Sequence, residues 1–332
     1  MLQFMVKRIL MMIPIVLLIS IIVFWIIQLP PGDYVTTYAA SLRAMGEDVD
    51  AAEMARMREA MGLSQPFHIQ YWNWITAIVL RGDFGFSFEW GSRVTVVIAS
   101  RLPATLALSF TTLLFTYLVA IPIGIYSATH QYSLGDYVAT FFGFMGVATP
   151  NFLLALVLLY VAFNYFGVNL SGLFSREFID APWSLARVWD MMKHLPIPIF
   201  VIGTAGTAGM IRVMRSQMLD EIRKQYVVTA RSKGVEERRL TFKYPVRAAL
   251  NPIVSTIGWA LTGIFSGSTI TAIVLNLQTQ GPVTYRALRN QDMYLAGGFL
   301  LILSVLTVIG TLVSDILLAW LDPRIRYERK GS

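Results

Sequence analysis

Residues 9–29 read Ile9-Leu-Met-Met-Ile-Pro14-Ile-Val-Leu-Leu-Ile-Ser20-Ile-Ile-Val-Phe-Trp25-Ile-Ile-Gln-Leu29. No charged side chain interrupts them, and about 20 such residues suffice to cross the hydrocarbon core of a bilayer as a helix. Lys7 and Arg8 precede the run, as they would in a secretory leader. A leader's apolar region is only about 7–15 residues and is followed by a small-residue cleavage site, and neither feature is present. The expected structure is a retained membrane helix, stopped by Pro30-Pro31-Gly32. This decides the fold class, because only helices and closed barrels satisfy every backbone group in lipid.

Five further apolar runs extend the reading: 102–129, 137–166 with a polar break at Thr149-Pro150-Asn151, 196–214, 252–275 and 295–320. The expected fold is an all-α polytopic membrane protein with six transmembrane helices. Composition agrees: 55% of residues are apolar and 14% charged, and mean hydropathy is +0.59, against about 25% charged in soluble domains. There is no cysteine, and His68, His130 and His194 have no ligand spacing. Neither a metal site nor a catalytic set is therefore expected. The net charge of +7 is read as inner-face Lys and Arg and not as nucleic-acid binding. With the amino terminus inside, sixteen of the 27 Lys and Arg fall on the inner side, which favours both termini cytoplasmic.

Topology divides the chain into an N-terminal membrane helix (1–29), an extracytoplasmic helical segment (30–101), a five-helix core (102–320) and a cytoplasmic tail (321–332). Within the segment after helix 1, Met54, Met57 and Met61 share one helical face, with Gly62 as the stop. A second helix is expected from Pro66 to about Leu80, capped by Ser64 and too short to span. Its Phe67, Tyr71, Trp72 and Trp74 suit a lid at headgroup level. In the core, Gly203, Gly206 and Gly209, and the pair Gly263 and Gly267, would let helix backbones approach closely. Packing within the chain and a seam with a second subunit both fit that spacing. Arg212 and Arg215 are expected to snorkel at the end of the fourth helix. Asp315 is the clearest acid inside a span.

One polar stretch, residues 217–250, carries eight of the ten inner basic residues between Arg212 and Arg247. Leu219 to Ala230 reads as a helical continuation, Gly234 as a break, and Val235 to Leu240 as a second short helix with Glu236 and Glu237 at its positive end. By composition this could be a loop that only sets topology, or a docking surface. No Gly-x-x-x-x-Gly-Lys-Ser/Thr loop occurs, and mid-span carboxylates are scarce. The energy for transport would then come from another protein. A stand-alone channel or secondary carrier is the alternative.

Thr229-Ala-Arg-Ser-Lys-Gly234 followed by Asn251-Pro252 resembles the coupling loop of ABC-importer permeases, and of the oligopeptide/dipeptide branch in particular. Lys7-Arg8-Ile with Pro14, Pro31-Gly32-Asp33, Gly62-Leu-Ser-Gln-Pro66, Gln70-Tyr71, Arg81-Gly82-Asp83-Phe-Gly85, Arg101-Leu-Pro-Ala-Thr105 and Leu321-Asp-Pro-Arg-Ile-Arg-Tyr327 match that branch in order. The resemblance implies a type I importer permease fold in a bacterial or archaeal cytoplasmic membrane. It implies a heterodimer with a homologous second permease, two ATP-binding-cassette subunits that hold ATP-Mg, an extracytoplasmic solute-binding protein above, and surrounding membrane lipid. The chain itself would carry no cofactor. Thr229, Ala230, Arg231, Lys233, Gly234, Val235 and Glu236 would lie at the ATPase contact.

Two departures bear on coupling and cargo. Val228 stands where the wider family has a glutamate, as is usual in this branch. The fifth helix, Thr269-Ile-Thr-Ala-Ile-Val-Leu-Asn276, lacks the acid many peptide-branch members carry there. Thr149, Asn151, Thr269, Thr271 and Asn276 are neutral hydrogen-bonders and the candidates for the translocation path. They suit oligosaccharide hydroxyls as well as peptide amides.

Overall fold

A computed structural model describes residues 2–29, 31–47, 50–179 and 181–321. The signature after Leu321 and the basic residues of the tail lie outside the described residues. The chain runs α1 (Leu2–Gln28), α2 (Tyr34–Ala44), α3 (Ala51–Ala60), α4 (Phe67–Arg81), a short hairpin β1 (Phe86–Ser87) and β2 (Ser92–Arg93), then α5 (Val94–Thr129). It continues through α6 (Leu134–Ala148), α7 (Asn151–Phe166), α8 (Leu185–His194), α9 (Pro196–Ile222), α10 (Gln225–Ser232) and α11 (Glu237–Lys243). The last elements are α12 (Pro245–Ser255), α13 (Ile257–Gly267), α14 (Thr269–Val274), α15 (Gln280–Arg289) and α16 (Met293–Leu321).

Among the described residues, four helices are long and apolar enough to cross a membrane: Arg8–Gln28 within α1, α5, α9 and α16. The third and fifth expected spans are bent pairs. α6 and α7 meet at 99°, and the α11–α12 stretch meets α13 at 46°. At the first bend, the residue before a proline is pushed out of the helical region, and Thr149 is extended (φ −91°, ψ 118°) ahead of Pro150. At the second, the Gly258 amide donates to the Ser314 hydroxyl at 2.9 Å and so leaves its own helix ladder. α5 begins at Val94, ahead of the expected 102, and α9 runs on to Ile222, past the expected 214.

The described residues form two compact units, one of residues up to Thr105 with Thr279–Val308, the other of Leu106–Gln278 with the chain from Ile309 onward. In the first, Val94, Val97 and Ile98 of α5 bury against Leu295, Ala296 and Phe299 of α16. Phe24 of α1 packs on Trp74 and Ile75 of α4 and on Leu301, its ring 5.3 Å from those of Phe67 and Trp74. α4 is therefore packed on its own unit, with Trp72, Val79 and Leu80 left exposed. Ser64 does not cap it: Pro66 is the cap residue, without a side-chain bond. Met54 and Met61 bury with Val35 and Ala39, with Met57 beside them, as the spacing predicts. Gly62 follows at φ +69°.

Three carboxyls of this unit respond to pH in two windows. Asp292 is 1% exposed and accepts from the Ser87 hydroxyl at 2.6 Å and from the amides of Leu295 and Glu89 at 3.2 and 3.3 Å. Burial nevertheless pushes its carboxyl above the usual range, and burial does the same to Glu89. At Asp33 burial also pushes upward, but hydrogen bonds from Arg58 and Thr36 outweigh it and hold that carboxyl below its usual value. The native state thus holds the Asp292 and Glu89 protons more tightly than the unfolded chain. Their stabilising effect is greatest below the ordinary carboxylate value near pH 4 and falls as pH rises through the raised native values. Asp33 works in the lower window: its contribution is present above the ordinary value and is lost as pH falls through the depressed one. Raising pH from about 4 to about 8 should therefore lower the thermal midpoint of the wild type relative to a Glu89→Gln/Asp292→Asn double variant. A pH-independent difference between the two would refute the assignment.

In the second unit α9 is central. α6 lies along it where a Cβ on Gly146 would stand 3.1 Å from Ala208. Met214 and Met218 bury against Val246, Ala249 and Ile253 of α12. Gly203 meets Phe115, and Gly206 faces Thr116 of α5, whereas Gly209 and Gly263 face open space. The close backbone approach falls instead at Gly258, whose absent Cβ would stand 2.5 Å from the Thr311 amide nitrogen and 2.6 Å from the Gly310 carbonyl carbon.

Candidate functional site

The polar stretch after α9 folds as a helix, a tight turn and a second helix. The expected continuation from Leu219 to Ala230 is broken at Arg223–Lys224, because Lys224 takes extended backbone (φ −70°, ψ 148°). Glu221 holds the junction, accepting from Lys224 Nζ at 2.6 Å and from the Tyr226 hydroxyl at 2.5 Å. Burial and then that bond to Glu221 push the Tyr226 phenol upward, so it stays a donor.

The sequence Ala230-Arg-Ser-Lys-Gly-Val235 forms a Schellman cap. Gly234 has φ +76°, a left-handed conformation that costs a side chain-bearing residue about 1 kcal/mol. Its amide bonds the Arg231 carbonyl at 3.0 Å, and the Val235 amide bonds the Ala230 carbonyl at 3.4 Å. That pair of bonds, with an apolar contact between the same two residues, is what closes such a helix end. Val227, Ala230 and Leu240 are the buried core of the turn, with Val235 and Tyr244 packed on it. α11 begins at Glu237, two residues later than expected, with Glu236 as its cap residue. The Arg231 guanidinium donates through Nε and, at 3.2 Å, through Nη2 to Glu237, bracing the turn from outside.

Of the residues expected at a partner contact, Thr229, Arg231, Lys233, Gly234 and Glu236 are exposed. Ala230 is buried and Val235 half-buried, so these two build the scaffold and not the surface. Val228, Tyr226 and Phe242 add exposed apolar area to the same segment. A cavity of about 1090 Å³ separates α11 from the end of α5, lined by Ile121, Pro122 and His130 on one side and Arg231, Glu237, Arg238 and Phe242 on the other.

The five path candidates sit in different surroundings. Thr149 lines a mainly apolar cavity of about 640 Å³ beside α5, α6 and α9. Asn151 donates to the Ile202 carbonyl at 3.4 Å. Thr271 is buried, Thr269 half-buried, and Asn276 exposed at φ +53°. Thr271 is thus a packing residue in this conformation.

Sequence reading passed over a buried ion pair of this unit. Asp136, 3% exposed, accepts from Arg215 Nε at 3.0 Å and Nη2 at 2.9 Å, and from the Tyr132 amide at 3.0 Å. Arg215, expected at the inner end of its span, is therefore paired with Asp136 in the first turn of α6. The local signal was Ser133-Leu-Gly-Asp136, an N-cap serine with an acid in the first turn: the Ser133 hydroxyl accepts from the Asp136 amide at 3.2 Å.

Comparison with known proteins identifies the family. The family described as "Binding-protein-dependent transport system inner membrane component" matches residues 120–327, and its N-terminal component matches residues 1–109. The chain belongs to this family. It is thus a membrane-embedded permease subunit of a binding-protein-dependent ABC importer. The oligopeptide transport system permease protein AppB of Bacillus subtilis (strain 168) is 35% identical over 325 residues, covering 98% of this chain and 99% of the relative. The glutathione transport system permease protein GsiC of Salmonella choleraesuis (strain SC-B67) is 31% identical, covering 99% and 100%. The inner membrane ABC transporter permease protein YejB of Escherichia coli O157:H7 is 30% identical, covering 98% and 99%. A solved structure of the MetNI methionine ABC transporter in an inward-facing form aligns with 69% of this chain and 97% of its own, at a TM-score of 0.49 and 14% identity.

Proposed function

We propose that this permease forms half of a translocation pathway for a peptide-type solute, paired with a homologous second permease and driven by two ATPase subunits docked on the α10–α11 turn. The carrying observation is the turn itself. Thr229 to Glu236 presents an exposed polar face, with Arg231 and Lys233 on it, over a buried core of its own, which is the form of a preorganised docking element. The reading has both termini on the ATPase side and ATP-Mg held by the partners. Peptide cargo is supported by relatives named for oligopeptide and glutathione transport.

The test uses the pair that braces the turn. Arg231→Glu should abolish solute-stimulated ATPase activity in the reconstituted importer and lower transport at least about tenfold, the cost of one lost charged contact, with membrane insertion unchanged. The Arg231→Glu/Glu237→Arg exchange restores the intramolecular pair but reverses the outward charge, so it should stay uncoupled. Gly234→Pro, which forbids the left-handed conformation, should also uncouple. Wild-type coupling in Arg231→Glu would remove the docking assignment. Recovery in the exchange variant would reduce Arg231 to a brace of the turn.

A further inference from the structure

α8 inverts the usual arrangement of a surface helix. Two of its charged residues are inside: Arg187 is 4% exposed and Asp190 8%. The Arg187 guanidinium donates to the carbonyls of Ala181 and, at 2.9 Å, Ile179, and lies 4.5 Å from the ring centre of Trp183. Asp190 accepts from the Ser175 amide at 2.8 Å and hydroxyl at 2.7 Å. The preceding loop thus engages both of these ionic groups.

The outward arc is apolar. Leu185, Val188, Trp189 and Met192 are 90%, 37%, 61% and 53% exposed. At 3.6 residues per turn they fill an arc of about 100°, and exposed Lys193 stands at its edge. Such a stripe facing water would be a liability. α8 is not placed at random, however. Leu195 is at once its C-cap and the N-cap residue of α9, a helix able to cross the membrane, so α8 joins a span without a linker.

We infer that α8 lies in the plane of the bilayer surface at the end of α9, with Leu185, Val188, Trp189 and Met192 in the lipid and Lys193 reaching the phosphate level. Lipid is the occupant that fits three features together: continuity with a span, a tryptophan within the stripe, and a lysine just beyond it. Tryptophan favours the boundary between headgroups and chains, lysine snorkels from it, and helices of this type sit about 5–10 Å into it. The helix then anchors the loop between α7 and α9 to the membrane surface.

The chain has no cysteine, so single labels report cleanly. Spin labels on Leu185→Cys, Trp189→Cys and Met192→Cys, and on Ala186→Cys as the water-side reference, would be placed in the complete importer in phosphatidylcholine–phosphatidylglycerol nanodiscs. Only variants that retain transport would be scored. Collision with oxygen should exceed collision with a water-soluble nickel chelate at 185, 189 and 192, and the ratio should invert at 186. Nickel-dominated collision at 189 and 192 would put the arc in water. Exclusion of both probes there would put it under a protein partner. Either result overturns the assignment.

Discussion

Asp136→Ala should destabilise the permease by about 3 kcal/mol, because removing one partner of a buried ion pair strands the other. The carboxylate is 3% exposed, and its two oxygens accept both guanidinium bonds and the Tyr132 amide. Arg215 keeps 30% of its side chain exposed and can partly rehydrate, which sets the figure at the lower end of the range. The same loss unties the Tyr132–Asp136 turn, where Tyr132 is held at φ +61°. Arg215→Lys keeps the charge but not the two-pronged donor, and should recover only part of the stability. The measurement is the thermal midpoint of the detergent-solubilised chain at low and high salt. A buried pair is screened little, so the loss should persist at high salt; a loss that salt erases in the wild type would mean the pair is solvated.

Gly258→Val should be as damaging, at about 3 kcal/mol, the upper end for overpacking a filled interior. The obstacle is backbone, with Thr311 N and Gly310 C inside 3 Å of the new Cβ, so no side chain can rotate away. The bond from the Gly258 amide to Ser314 would be lost in the same displacement. Gly263→Val is the control, since nothing lies within 4 Å of its absent Cβ. The two variants should separate clearly in thermal midpoint and in yield of monodisperse protein. Equal behaviour would show that α13 and α16 do not approach at Gly258.

That contrast also marks what a sequence can show. Residues 9–29, 196–214 and 295–320 were legible as spans because hydropathy is a property of the run itself. The methionine face and the stop at Gly234 were legible because both depend on spacing within one turn. Gly258 and Gly263 look alike in sequence, since which glycine meets a backbone depends on the direction of a neighbouring helix. Asp136 and Arg215 are 79 positions apart, so no local pattern joins them. Pro150 announced a break, but the 99° angle comes from what each arm packs against. At the candidate site the exposed basic residues were found, while Ala230, included on the strength of its motif, turned out to face inward.

The cap at Gly234 divides labour within a few residues. Its hydrogen bonds run between backbone groups, and its apolar contacts involve only Val227, Ala230, Val235, Leu240 and Tyr244. No bond or apolar contact of the turn involves the side chains of Val228, Lys233 or Arg239. On the docking proposed above, a lineage could therefore re-key those three positions to a diverged motor protein while inheriting the turn unchanged. Such freedom lets one membrane architecture be served by different engines without being refolded.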